Sequence, residues 1–169
     1  MDFNSGQDTV LGKQEDTVRC LAYSSEDNML VSGSWDKTVQ MYDPRAPSAN
    51  HASLASYVQP SKVFSLDVAK GHKLVVAMAG RHVYIYDLRN MKETLQRRES
   101  SLKFMTRMVR CMPNGEGYAS SSIEGRVAVE FFDPDPEVQK RKYAFKCHRQ
   151  TIDGVDTVYP VNALAYHPM

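Results

Sequence analysis

Polar and apolar residues alternate over short stretches of this chain, and the clearest stretch is Ser32–Arg45. Within it, Lys37–Tyr42 have the period of two that is typical of a half-buried strand. The three residues 34–36 before that strand are predicted to form a turn, and Pro44 after it cannot donate to a strand ladder. The stretch therefore predicts a turn followed by a short strand.

The same turn and strand occur three times at a fixed distance. Val39, Val83 and Val127 are the central residues of the three strands, and each follows the previous one by 44 residues. A repeat of about 40–45 residues with four strands is typical of a blade of a β-propeller. The three copies cover 36–43, 80–87 and 124–131; the strands predicted before them cover 18–23, 63–68 and 106–111, with short segments at 29–33, 73–79 and 117–121 between.

This repeat predicts an all-β, WD-repeat type of propeller, with about three blades and flanking strands. Each repeat ends on a dipeptide that approximates Trp-Asp, and that dipeptide changes from Tyr42-Asp43 to Glu130-Phe131 in the third copy. Because three blades cannot close a ring, we expect an interior part of a larger propeller, seven-bladed by the resemblance described below. The predicted blades are 18–58, 63–105 and 106–149, with 1–14 as the end of a preceding blade and 161–166 as the first strand of a next one.

Charge is balanced over the whole chain but not along it. The chain has 21 basic and 20 acidic residues, which gives no global case for a nucleic acid or membrane partner. Residues 1–91 have 9 basic and 10 acidic side chains, whereas residues 92–149 have 12 basic and 8 acidic ones. We therefore expect any anion-binding surface to draw on the second half.

The strand order places several cations on one face of the predicted propeller. In an antiparallel meander, the turn between the second and third strands lies at the same face as the start of the first strand and the end of the fourth. Arginine pairs well with phosphate oxygens, so binding of a phosphopeptide or acidic motif follows as a hypothesis. The candidates at this face are Trp35, Arg81, Arg107, Arg126, Lys146, His148 and Arg149.

Simpler roles remain open for the same residues. Arginines in propeller turns are often solvated or locally paired, and Trp35 is either a packed aromatic residue or a peptide anchor. Asp36 is expected to cap its turn. The segment RRESS at 97–101 resembles a basophilic kinase site, with a solvated connection between blades as the alternative.

Enzymatic and metal chemistry find little support in the sequence. The three cysteines are widely spaced and form no CxxC pair, which fits a reducing compartment and argues against a zinc site or disulfide framework. Cys147 and His148 are neighbours on a predicted strand and would point to opposite faces, so they form a poor nucleophile–base pair. We therefore expect no enzyme activity and no cofactor.

Several phrases of the chain resemble a known family. VSGSWDKTVQMYDPR, QRRESSLKFMTR, SSIEGRVAVEFFDP and RKYAFKCHR are similar to segments of the spindle-checkpoint WD-repeat proteins of the Bub family. The resemblance covers nearly the whole chain and is most specific in 96–107 and 121–149. A paralogous group, the mRNA-export WD-repeat factors, which bind nucleoporins, shares some of the phrases and is the alternative.

The resemblance implies a non-enzymatic adaptor of the mitotic spindle assembly checkpoint, located in the nucleus and at kinetochores. The implied partners are checkpoint kinases and kinase-like proteins with GLEBS motifs, a kinetochore scaffold with phosphothreonine MELT repeats, and a ubiquitin-ligase checkpoint complex. Trp35 would belong to the GLEBS surface, and Arg107, Arg126 and Lys146 to a phosphate-binding patch. The family can have Arg where Lys146 stands, and a lysine keeps the charge without the bidentate fork.

Overall fold

Three antiparallel four-stranded sheets follow one another along the chain. The computed structural model describes residues 6, 10–45 and 53–167. Strands pair in chain order within each sheet, which is the meander expected of a propeller blade, so the all-β prediction is confirmed. The strands are β1 Val18–Ser24, β2 Met29–Ser34, β3 Thr38–Tyr42 and β4 Ala55–Val58 in sheet one; β5 Val63–Ala69, β6 Lys73–Met78, β7 His82–Asp87 and β8 Asn90–Glu99 in sheet two; and β9 Thr106–Cys111, β10 Gly117–Ser122, β11 Arg126–Phe131 and β12 Tyr143–Lys146 in sheet three.

The turn between β2 and β3 is held by its acidic residue. The Asp36 carboxylate accepts hydrogen bonds from the Thr38 backbone N–H at 2.8 Å and from the Glu15 backbone N–H at 2.9 Å. Partial burial opposes ionisation of this carboxyl, but the hydrogen bonds, above all from the Thr38 hydroxyl, lower its pKa below the ordinary value. Asp36 therefore caps its turn, as the sequence predicts.

Two hydrophobic clusters join the three sheets. The first contains Val31 and Val39 of sheet one together with Val63 and Leu66 of sheet two, all fully buried. The second joins sheet two to sheet three, where Val109 of β9 is fully buried. Successive residues of β6 enter the two clusters in turn, which is the physical basis of a period-two pattern in the sequence.

The first and inner strand of each sheet, β1, β5 or β9, has a shift in its pairing register at its second residue. The register shifts between Val18 and Cys20 in β1, and between Val63 and Ser65 in β5. In β9 the pairing passes from Thr106 to Met108. The residues passed over are Arg19, Phe64 and Arg107. A bulge of this kind redirects the side chain of the extra residue. In each of the three sheets, one side chain of the first strand therefore departs from the regular alternation of the ladder.

The ends of the chain differ from the predicted strands. Of residues 1–14, predicted as the end of a preceding blade, the structure describes only 6 and 10–14, and these form no strand. Residues 161–166 also form no strand, because they make only isolated contacts with sheet three in place of a ladder. Examples are the bond from Val161 N–H to the Ser122 carbonyl and that from Leu164 N–H to Met108 Sδ.

Two further elements lie beyond the predicted repeat. The hairpin of β13 Arg149–Ile152 and β14 Val155–Val158 follows sheet three, and a short helix α1, Pro136–Gln139, connects β11 to β12. Asp153 and Gly154 both have positive φ in the hairpin turn, which is the two-residue Asp-Gly turn favoured between antiparallel strands. Among the described residues, no helix has the length and apolar character needed to cross a membrane.

Candidate functional site

Two cations face each other across the outer strands of sheet three. Arg126 begins β11 and pairs directly with Lys146, which ends β12. Like charges at directly opposed positions destabilise an antiparallel pair, so this arrangement does not serve the sheet itself. Within the described residues, the Arg126 guanidinium has one carboxylate neighbour, Glu124 at 3.5 Å, and exposed Lys146 has none within ion-pair distance.

The turn that presents Arg126 depends on a glycine. Gly125 has φ +68°, and a Cβ at this position would lie 2.8 Å from the Tyr159 carbonyl oxygen and 3.2 Å from that of His148. Its own carbonyl accepts the Cys147 N–H at 2.7 Å. A side chain would therefore meet both an unfavourable backbone conformation and two backbone oxygens. The glycine lets the β10–β11 turn approach the end of β12 and the hairpin that follows it.

Arg126 lines a cavity between the β8–β9 connection and the outer strands of sheet three. The cavity has a volume of about 540 Å³. Arg126 and Lys103 bring positive charge to it, and Glu124 brings one negative charge. Leu102 is only 2% exposed, and its burial fixes the path of the β8–β9 connection. Phe104 is half exposed at the wall. The remaining lining residues are Ser101 and Ala144. A phosphate group and a short apolar side chain are what such a surface can bind.

Arg107 belongs to a different cavity. Its guanidinium donates to the Asn162 side-chain oxygen through Nε at 3.1 Å and through a terminal nitrogen at 2.9 Å. Together with Arg19 and Arg110 it lines a cavity of about 200 Å³ along the inner strands β1, β5 and β9. The structure thus brings Arg126 and Lys146 together and separates Arg107 from them.

Trp35 lies on the same turn face but in sheet one, with sheet two between it and Arg126. Its ring is half-buried, and the Lys62 ammonium lies 5.3 Å from the ring centroid. The indole Nε1 is buried and has no acceptor among the described residues. Lys62 is also 4.0 Å from Asp16. Trp35 is therefore partly packed and partly accessible.

The other candidate cations of this face have local partners. Arg81 pairs with Glu99 at 3.1 Å and donates to the Ser100 carbonyl at 2.9 Å. Arg149 donates to the Glu124 carbonyl at 3.3 Å. The His148 ring packs on Tyr159 with centroids 4.9 Å apart. These contacts give the three residues structural roles.

Neither a thiol site nor a metal site is assembled in the part of the chain that the structure describes. Cys147 packs against the small cluster around Val127 and Val129, and the neighbouring His148 ring turns to Tyr159. No group of three or more His, Cys, Asp or Glu side chains has metal-binding geometry within the described residues.

Sequence reasoning did not find several residues of these cavities. Arg19 precedes Arg107 by two repeats of 44 residues, so the repeat period could have found it. Lys103 had no such signal, because it lies in a connection whose path is set by the burial of Leu102 and not by strand periodicity. Ser101 of the same connection was noted only as part of the RRESS segment and not as a residue of a cavity.

The comparisons with known proteins agree with the repeat. The family model described as WD domain, G-beta repeat matches residues 7–43. Over 168 residues, 99% of the chain and 49% of the relative, the sequence is 55% identical to the mitotic checkpoint protein BUB3.1 of Arabidopsis thaliana. This chain is a Bub3-like WD-repeat protein. The spindle assembly checkpoint protein bub3 of Schizosaccharomyces pombe is 39% identical over 100% of the chain and 51% of the relative.

The Bub3-like chain is also similar to mRNA export proteins, at lower identity. The mRNA export factor GLE2 of Chaetomium thermophilum is 34% identical over 99% of the chain and 46% of the relative. The chain spans about half the length of the curated relatives it matches. The resemblance to the checkpoint family that the sequence phrases suggested is thereby confirmed.

Proposed function

We propose that this Bub3-like chain is part of a non-enzymatic adaptor of the spindle assembly checkpoint that binds phosphorylated peptide motifs. The observation that carries the proposal is the direct pairing of Arg126 with Lys146 beside a cavity that also holds Lys103. An opposed pair of cations is unfavourable until an anion lies between or beside them. A phosphate dianion satisfies this requirement better than a single carboxylate, because it offers more charge and three acceptor oxygens.

The occupant we propose is the phosphothreonine of a MELT-type repeat in a kinetochore scaffold. Phe104, half exposed beside the cavity, offers apolar contact to the aliphatic residues of such a motif. Support comes from the mitotic checkpoint names of the relatives with 39–55% identity. In the proposed role the adaptor acts in the nucleus and at kinetochores in mitosis.

A second contact is proposed for GLEBS motifs of checkpoint kinases and kinase-like proteins. Trp35 lies on the same turn face and is half-buried, and its buried indole N–H has no acceptor among the described residues. The Trp35 ring offers apolar contact to a helical segment, and Lys62 beside the ring adds a positive charge for its acidic residues. A ubiquitin-ligase checkpoint complex is a further proposed partner, for which the described residues offer no specific contact.

The test uses a fluorescent phosphothreonine MELT peptide and its unphosphorylated twin, with binding followed by anisotropy. We expect the phosphorylated peptide to bind, and Arg126→Ala to weaken it by roughly tenfold or more, as expected for loss of a charge-assisted pair. Lys146→Ala should cost less, because an ammonium makes single bonds where guanidinium makes two. Arg89→Ala is the matched control, since Arg89 is exposed and paired with Asp87 at the opposite end of β7.

Equal affinity for the two peptides would reject the phosphate-dependent function. The alternative, an mRNA-export role, is supported by the 34% identity to GLE2 and predicts RNA binding that falls steeply with salt. The greater similarity to checkpoint proteins favours the first role, and strong salt-dependent RNA binding without phosphopeptide binding would favour the second.

A further inference from the structure

The two serines of the segment RRESS have opposite environments. Ser100 is fully buried. Its N–H donates to the Arg81 carbonyl at 2.8 Å, its carbonyl accepts from the Arg81 guanidinium at 2.9 Å, and its hydroxyl accepts the Leu102 N–H at 3.2 Å. Ser101, the next residue, is exposed in the bend between β8 and β9. An enzyme can reach the second hydroxyl but not the first.

Ser101 also lines the Arg126 cavity. The same cavity wall holds Lys103, two residues further on, and Glu124, so its net charge is +1 from the three charged lining residues. The backbone of this connection is anchored by Leu102, which is 2% exposed and keeps the neighbouring side chains at the cavity. A phosphate on Ser101 would therefore be tethered beside the Arg126 guanidinium.

We propose that Ser101 is a phosphorylation site whose phosphate group occupies the Arg126 cavity of its own chain. The phosphoryl donor is a nucleoside triphosphate bound to a basophilic protein kinase. The Ser101 oxygen forms a bond to the γ-phosphorus, the bond from that phosphorus to the β,γ-bridging oxygen breaks, and nucleoside diphosphate leaves. The hydroxyl proton passes to a base of the kinase, so the chain gains close to two negative charges at neutral pH.

Two arginines precede the acceptor. Arg97, four residues before Ser101, is exposed and has no carboxylate within ion-pair distance in the described ranges. Arg98, three residues before, is held by the carbonyl oxygens of Phe131 and Phe132 at 2.7 and 3.0 Å. The kinase therefore meets Arg97 on the folded surface and gains Arg98 only when the end of β8 opens.

The regulatory meaning rests on the function proposed above. If a partner's phosphothreonine uses Arg126, a phosphoserine at position 101 competes for the same guanidinium at high effective concentration. Phosphorylation would then switch off binding of the phosphorylated scaffold without changing the fold, because Ser101 is exposed and makes no contact that the sheets need.

The first test does not involve a partner. Phosphoserine is placed at position 101 of the chain by codon suppression, and its second pKa is measured by phosphorus NMR titration. We expect this pKa to lie about 0.5–1 unit below that of an ordinary phosphoserine, and to return to the ordinary value in the Arg126→Gln variant. Phosphoserine at exposed Ser25, which precedes Glu26 and Asp27, is the control and should show no lowering. The same phosphoserine pKa with and without the Arg126→Gln substitution would overturn the pairing.

The second test concerns the acceptor and its consequence. After incubation with a basophilic kinase and ATP, mass spectrometry should find the phosphate on Ser101, lost in Ser101→Ala and kept in Ser100→Ala. Phosphate on Ser100 alone would overturn the assignment. The phosphoserine-101 chain should then bind the phosphothreonine peptide about tenfold or more weakly than the unmodified chain. Equal binding by both forms overturns the switch, whereas no binding by the unmodified chain rejects the proposed function and leaves the NMR result standing.

Discussion

At the scale of single residues, Cys20 shows how the fold sets the reactivity of a side chain. Burial between β1 and β5 raises the pKa of its thiol from 9.0 to about 11, and a hydrogen bond with the Leu66 backbone and then the Arg19 charge offset this only in part. Because alkylation needs the thiolate, the native rate at pH 8 should be about a hundredfold below that of the unfolded chain. The neutral thiol is the favoured form, so its contribution to stability is lost as pH rises from about 9 to about 11.

The measurement is iodoacetamide labelling of Cys20 over a range of pH, followed by mass spectrometry. The native rate should rise with pH up to about 11, whereas the rate in urea should level off near the ordinary thiol pKa. If the native rate also levels off near pH 9, burial does not control this thiol.

The third repeat also shows how a residue can depart from the pattern without loss of the strand. Glu130 stands where the first two copies have Tyr42 and Tyr86, and it is buried. Its carboxylate accepts a hydrogen bond from the Tyr118 hydroxyl. Burial, and then the negative charge of Glu130, raise the pKa of Tyr118, which keeps the phenol protonated as the donor. The cross-strand partner therefore satisfies a residue that the repeat alone does not explain.

At the scale of elements, one arginine of β8 ties sheet two to sheet three. The half-buried Arg98 donates to the carbonyl oxygens of Phe131 and Phe132, at the end of β11. Arg98→Met keeps the aliphatic stem but leaves both carbonyls without this donor, so we expect a loss of about 2–3 kcal/mol in the free energy of unfolding. The measurement is urea unfolding followed by circular dichroism.

The neighbouring Arg97 is the matched control for that prediction. Its side chain is exposed and lies 5.7 Å from the Tyr84 ring centroid, a contact of modest energy. Arg97→Met should change the free energy of unfolding by less than about 1 kcal/mol. Equal losses in the two variants would mean that the charge of the segment matters, and not the bridge between the sheets.

The strands that recur with the 44-residue repeat and alternate in burial were predictable from the sequence. The elements outside that repeat were not predicted correctly. The central valines Val39, Val83 and Val127 are all buried in third strands, as the pattern indicates. The hairpin at 149–158 was missed, although Asp153-Gly154 between two alternating segments is a strong turn signal. Residues 161–166 have the composition of a strand but no ladder, and composition alone does not create the partner that a strand needs.

At the scale of the whole molecule, the repeat predicts which residues share a face but not which share a cavity. Arg107 and Arg126 both lie at the turn face, as the strand order requires. The bulge at Arg107 turns it towards Asn162 and the inner strands, whereas Arg126 opens to the outer connection. The repeat does not show which way a bulge turns its side chain or how a connection runs, so the grouping of these two arginines into one patch could not be tested before the structure.

The approach of sheet one to sheet two depends on a residue without a side chain. A Cβ at Gly33 would lie 2.6 Å from Val63 Cγ1 and 2.9 Å from Leu66 Cδ2, and both partners are fully buried in β5. Gly33→Ala should therefore force the two sheets apart and cost about 1–3 kcal/mol of unfolding free energy. Leu66→Ala alone should cost about 3–5 kcal/mol, because it leaves a cavity in the same interface.

The two substitutions should not be additive. With Leu66 shortened, the new methyl group at position 33 loses one of its close contacts while Val63 still crowds it, so the double variant should be more stable than the sum of the single losses predicts, by about 1 kcal/mol. Urea unfolding of the four proteins measures this coupling. Gly154→Ala is the control: no atom lies within 4 Å of its Cβ position and its φ is +77°, so it should cost only backbone strain and show no coupling to Leu66. Strict additivity of Gly33→Ala and Leu66→Ala would mean that the sheets meet without competing for that space.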